Sequence, residues 1–214
     1  MSFHGLALRE TGPDVYELYV TSHGAREAIE VFAIDAAPRP SVTWIGCVPM
    51  PSDSLTNSVV ILDDGGFFAT KFMDPVAGID SVFAGGPTGY VFEWHPGGEV
   101  EIVPGTELAG ANGIEVSEDQ RWLYVAAFGQ REIIRFDLSV RPVVKDTLAL
   151  DLTPDNLRWS PRGTLLTVGG RGNGDGWGVV EIDPIGWTAR EIAGVDAHVD
   201  GLEDASVAFQ VGDE

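Results

Sequence analysis

Cysteine is almost absent. Cys47 stands alone among 214 residues, which excludes an internal disulfide, and no CxxC pair exists to hold zinc or carry redox chemistry. Cys47 itself is expected to be a small buried apolar residue. Basic residues are scarce too: thirteen Lys and Arg face thirty-three Asp and Glu, a formal net charge of −20. A phosphate backbone would be repelled over most of such a surface, so nucleic acid is excluded as a partner. The acidic excess is spread along the chain rather than gathered in a tail, as a solubilising surface would be. Cation binding is the other use for it. No apolar run approaches the roughly 18 residues a membrane span needs. Residues 1–9 contain no charged segment followed by an apolar one, so no signal peptide is visible. Together these predict a soluble protein, cytoplasmic by default. Helical patterns are missing as well, since 13 prolines and 27 glycines punctuate the chain and no period of 3.6 lasts beyond about two turns. There is no G-x-S-x-G elbow, which removes support for a serine-nucleophile α/β-hydrolase.

What the sequence does have is repetition. With 44% apolar residues the chain can bury a core. The segments 57–70, 112–125 and 156–168 each read as a polar residue, a short alternating strand, a turn rich in Asp, Pro or Gly, and a second apolar strand. A fourth such hairpin runs from His4 through the turn Gly12-Pro13-Asp14 to Val20. A fifth begins at Ser206–Val211 and stops inside its turn. The starts recur about every 50 residues, enough for a four-stranded antiparallel blade. Further alternating stretches at 29–34, 89–94, 132–137 and 178–183 supply outer strands. The fold class is therefore all-β, a propeller, with about four blades and part of another present.

In a propeller the inner strand of every blade starts at one face of the central channel, so the residues heading the repeats should converge. Those heads are His4, Asn57, Asn112 and the pair Asp155-Asn156. Oxygen donors around a narrow channel suit a hard cation of calcium size, whereas zinc would ask for His and Cys. A single Asn at a strand start needs no ligand, because its side chain favours turn edges; three at equivalent positions ask for more. The glycine-rich run 169–176 superficially resembles a phosphate loop, but no helix follows it and an inter-strand loop is the better reading.

These same residues carry a family likeness. His4-Gly5, the segment Tyr19 to Phe32 containing His23, Leu55-Thr56-Asn57, Ala111-Asn112-Gly113-Ile114 and Pro154-Asp155-Asn156 resemble, in order, motifs of the paraoxonase (arylesterase) branch. That branch belongs to the gluconolactonase, senescence-marker-protein and strictosidine-synthase-like superfamily. The resemblance implies a six-bladed propeller with two channel calcium ions and hydrolysis of lactones and some esters. It places Asn57, Asn112, Asp155 and Asn156 as ligands of a catalytic calcium, and His4 with His23 beside the attacking water. Leu6 falls where a backbone carbonyl contributes to a second, structural calcium. Ser58 departs from the pattern, since the family has Asp there for that ion. The family's glutamate ligand would precede residue 1.

Calcium acting as a Lewis acid on a lactone carbonyl needs no serine nucleophile. His4 would take a proton from water and His23 orient or relay it. His95, in the turn after Trp94, and His198, in an acidic loop, are read as structural. Two other functions stay open: a non-catalytic ligand-binding or scaffold propeller, and a strictosidine-synthase-like condensing enzyme. The chain is expected to form a single propeller domain, incomplete at both ends. Its open strand edges would recruit other copies, and the missing carboxylate would leave it inactive in isolation.

Overall fold

The computed structural model describes residues 2–172, 174, 176–195 and 205–212. Alternation of apolar and polar residues, with Gly, Pro and Asp at the breaks, produces sixteen strands and little helix among them. Blade 1 is β1 (Ser2–Gly12), β2 (Val15–His23), β3 (Ala28–Asp35) and β4 (Ser41–Pro49). Blade 2 is β5 (Thr56–Ile61), β6 (Phe67–Lys71), β7 (Tyr90–Trp94) and β8 (Glu101–Ile102), with the one-turn helix α1 (Ile79–Phe83) between its second and third strands. Blade 3 is β9 (Ala111–Val116), β10 (Trp122–Ala127), β11 (Glu132–Asp137) and β12 (Val144–Ala149). Blade 4 is β13 (Leu152–Trp159), β14 (Leu165–Arg171), β15 (Trp177–Asp183) and β16 (Thr188–Val195). Each sheet is an antiparallel meander in chain order, as short turns between sequential strands require.

The sheets stack face to face in sequence, β1 against β5, β5 against β9 and β9 against β13. Three cores fill the spaces between them. Tyr19, Ile29, Val59, Phe67 and Phe92 join blades 1 and 2. Val60, Phe68, Leu108, Ile114, Leu123 and Phe136 join blades 2 and 3. Ile133, Leu152, Leu157, Leu165 and Ile182 join blades 3 and 4. The blades between two neighbours are buried on both faces; the outer face of blade 1 leaves Phe3, Leu6, Leu8 and Trp44 exposed.

Two expectations are corrected. Residues Ser206–Val211 form no strand: among the described residues only the backbone of Ser206 meets β13, where the Asn156 amide donates to its carbonyl at 3.1 Å. A strand needs a ladder partner as well as an alternating pattern. Cys47 is half-buried rather than buried, because it lies on β4, the outermost strand of its blade. Of the glycine-rich run, Gly169 to Arg171 completes β14, and Asn173 and Asp175 lie outside the described residues.

Candidate functional site

Every inner strand breaks its register at the same place. The ladder slips between Phe3 and Leu6 in β1, between Thr56 and Val59 in β5, between Ala111 and Ile114 in β9, and between Pro154 and Leu157 in β13. The residues inside the four irregularities are His4-Gly5, Asn57-Ser58, Asn112-Gly113 and Asp155-Asn156. A bulge puts two residues opposite one and re-aims their side chains. The four heads named from the sequence therefore stand at the same point of each inner strand, placed there by one repeated device.

Close packing of the strands demands glycine at two of these bulges. A Cβ at Gly5 would strike the backbone of Asn57 and Ser58, and a Cβ at Gly113 would strike that of Asp155 and Asn156. Threonines on the second strands satisfy the displaced backbone groups. Thr21 Oγ1 lies 3.3 Å from the carbonyl oxygens of both Gly5 and Asn57. Thr70 Oγ1 donates to the Asn112 carbonyl at 2.6 Å and accepts from the Ser58 amide at 3.0 Å.

The side chains are less well satisfied than the backbone. Asn57 is 6% exposed and Asn112 3%, yet Oδ1 of each lacks a hydrogen-bond partner, as does Oγ of fully buried Ser58. A buried polar atom without a partner costs about 1–3 kcal/mol and asks for an explanation. Asp155 shares the site. Burial pushes its carboxyl up to about 6, and a hydrogen bond from Asn112 offsets part of that rise. Asn156 donates through Nδ2 to Asp155 Oδ1 at 3.1 Å and to the Ser206 carbonyl at 3.0 Å. A half-buried carboxylate and two buried amide oxygens with free lone pairs fit a hard cation. Among the described residues, no three His, Cys, Asp or Glu side chains gather as a metal cluster, so amides would have to make up most of such a set.

His4 and His23 meet edge to face, their ring centroids 5.9 Å apart. Partial burial of its ring, then the charge of His23, hold the His4 pKa below the usual histidine value. His23 Nδ1–H donates to both carboxylate oxygens of Glu27, at 2.9 Å each. The repeat pattern of the sequence does not mark Glu27. It is anchored in turn by Ser54 Oγ at 3.3 Å and by the Thr56 amide at 3.4 Å, which ties the His23 tautomer to the start of β5. Its only sequence signal is an acidic residue four positions after a histidine.

Beside Asp155 opens a cavity of about 320 Å³, lined among others by Phe83, Phe128, Gly169 and Gly170. Phe128 packs on both Phe72 and Phe83, which makes one wall apolar. A larger cleft of about 930 Å³ lies at the opposite ends of β9 and β13, around Trp122 and Trp159. None of the head residues lines it, whereas Asp155 lines the smaller cavity. His95 lies far from the heads in sequence and pairs with Asp64 at 2.6 Å on the surface; His198 lies outside the described residues. Leu6 and Ser58 sit beside the first two heads, but the Leu6 carbonyl already accepts from Arg158 Nη2 at 3.2 Å. No described helix is long and apolar enough to cross a membrane.

Four stacked meanders with their inner strands bulged at one common level are blades of a β-propeller, and solved propellers resemble the chain throughout. The luciferin-regenerating enzyme aligns with a TM-score of 0.56 at 16% identity, covering 91% of this chain and 76% of that one. The calcium-binding protein regucalcin from Agrobacterium tumefaciens gives 0.53 at 15% identity, with coverages of 90% and 73%. Virginiamycin B lyase from Staphylococcus aureus gives 0.54 at 14% identity, over 89% of this chain but 55% of that one. No curated protein matches the chain. The family model described as Arylesterase matches residues 1–196. The chain belongs to the arylesterase family.

Proposed function

We propose that this protein is a calcium-dependent hydrolase that opens small lactones or esters with water. The observation that carries the reading is the pair of buried, unpartnered oxygens, Asn57 Oδ1 and Asn112 Oδ1, at the same bulge level as Asp155 and Asn156. Membership of the arylesterase family supports cleavage of an ester-type bond, and a calcium-binding protein among the structural neighbours supports the ion.

Asn57, Asn112, Asp155 and Asn156 would hold the calcium. When bound, it polarises the substrate carbonyl and stabilises negative charge developing on its oxygen. The remaining work falls to side chains of the chain itself. His4, with its lowered pKa, is neutral at pH 7 and accepts a proton from the water whose oxygen adds to the carbonyl carbon. As the carbon–oxygen bond to the leaving group breaks, the proton passes to the departing oxygen, and His4 ends as it began. His23 keeps one tautomer through Glu27 and supports the His4 ring. The Phe83 and Phe128 wall offers apolar surface to the ring or alkyl part of the substrate.

The chain spans 55% of the length of the Staphylococcus lyase, and the activity of the whole protein is what we propose. A panel of lactones and aryl esters tests it, run with calcium and with a chelator. Turnover is expected in calcium, with a loss of at least about a hundredfold on chelation and in Asp155→Ala. Calcium should also raise the melting temperature of the wild type and not that of Asp155→Ala. A calcium shift of equal size in both proteins would overturn the site.

A further inference from the structure

Just past the bulges, two inner strands carry opposite charges that meet. Glu115 follows Ile114 in β9, and Arg158 follows Leu157 in β13; Ile114 and Leu157 point the other way, into the inter-blade cores. The Glu115 carboxylate is 15% exposed and lies 3.6 Å from Arg158 Nη1. Arg158 Nη1 also donates to its neighbour's carbonyl, Leu157 O, at 2.7 Å. Its Nη2 reaches 152 residues back along the chain to donate to the Leu6 carbonyl at 3.2 Å. One guanidinium thus joins blade 4 to blade 1 across the channel and meets a partly buried carboxylate of blade 3.

The family resemblance would place a second cation here, held by the Leu6 carbonyl and by an acid following Asn57. The residues present do not fit it. Ser58 brings a neutral hydroxyl, and the Leu6 lone pair already faces a positive charge. A calcium ion would have to sit against that charge at close range, which like-charge repulsion in a partly desolvated channel opposes. An arginine fork, by contrast, is a cation whose charge never leaves at working pH and whose donors match a carboxylate and a carbonyl together.

We infer that the Arg158 guanidinium is the built-in cation of the lower channel, taking the place of a second metal ion between Leu6 O and Glu115. The inference does not depend on the upper site binding calcium, and the test keeps the two apart.

Calcium bound per protein is counted by equilibrium dialysis at pH 8 for the wild type, Asp155→Asn, Glu115→Gln, Arg158→Ala and Arg158→Ala/Glu115→Gln. Asp155→Asn reports the upper site alone: if it binds as many ions as the wild type, the proposed catalytic calcium fails, whatever Arg158 does. For the lower site, Arg158→Ala is expected to bind one ion more than the wild type, because it frees Glu115 and the Leu6 carbonyl. The double variant should return to the wild-type count. Should the alanine variant not fold, Arg158→Met carries the same expectation, since it keeps much of the side chain's length and removes both the charge and the donor to Leu6. A wild-type ion that survives Asp155→Asn and is lost in Glu115→Gln would overturn the inference. So would Arg158 variants that bind no more calcium than the wild type.

Discussion

The two ends of the inner strands are built to different standards. At the far end, Trp159 Nε1 donates to the Val116 carbonyl at 2.9 Å and the Ser160 hydroxyl pairs with that of Thr164 at 2.7 Å, and the buried atoms left without a partner around that cleft are nitrogens, Arg135 Nε and Trp187 Nε1. At the head end the ladders slip, two amide oxygens stay unpartnered, and partial burial pushes the Asp155 carboxyl up to about 6. Both ends share the same cores and the same hairpins, so the difference is local. Unsatisfied groups held by an otherwise well-packed scaffold are the mark of a site made to receive something, and their cost is carried by the packing elsewhere.

The largest expected effect separates the ends by activity. His4→Gln should lower kcat about a hundredfold, the usual scale for losing a general base, with little change in melting temperature. Unchanged turnover would return His4 to the role of an ordinary polar residue beside a strand. Glu27→Gln should lose less and should shift the pH profile, since His23 would no longer be held in one tautomer.

Next in size is the effect of pH on the head end. The folded-state pKa of Asp155 is raised from 3.8 to about 6, so between those values the folded state keeps a proton that the unfolded chain releases. Without calcium, its contribution to stability therefore falls as pH rises from about 4 to 6 and then levels off. With calcium the sign reverses, because only the carboxylate binds the ion: affinity should weaken about tenfold per pH unit below about 6. Asp155→Asn should flatten both profiles. An isothermal titration series from pH 5 to 8 that shows no break near 6 would contradict this assignment.

Much of this was legible in the sequence, and what was not has physical reasons. The hairpins and the heads recur because each blade solves the same packing problem, and Asn57, Asn112 and Asp155 stand at matching points of that repeat. The fourth strands did not stand out. β12, from Val144 to Ala149, is mostly exposed, and β8 is two residues long, so neither needs an alternating pattern. Residues Ser206–Val211 erred in the opposite way, carrying the alternation without a ladder. Glu27 and the Glu115–Arg158 pair escaped notice because their partners come from other strands or other blades. Only the register of the inner strands, with Glu115 and Arg158 just past the bulges, could have hinted at the pair.

A smaller effect is expected at the far end. Trp159→Phe removes the hydrogen bond to Val116 O and alters the edge-to-face contact with Tyr124. It should cost about 1–2 kcal/mol in denaturant unfolding, with the Val116 carbonyl left to find water. Activity and calcium affinity should stay as in the wild type. A loss of calcium binding in Trp159→Phe would mean that the two ends are coupled and that the contrast between them is misplaced.

The smallest effect has the most informative sign. Asn57→Ala removes a buried oxygen that has no partner, so the desolvation cost of that oxygen disappears from the folded state. Against this stands the packing lost with the side chain, at a strand whose neighbours Thr56 and Ser58 are fully buried. The two contributions are similar in size, and in calcium-free buffer Asn57→Ala should lie within about 1 kcal/mol of the wild type, on the stable side if the bulge relaxes. Calcium should then raise the melting temperature of the wild type clearly more than that of Asn57→Ala. A residue kept only for the fold would behave the other way, costing stability in both buffers by the same amount. Equal losses with and without calcium would therefore mean that Asn57 serves the strand rather than an ion.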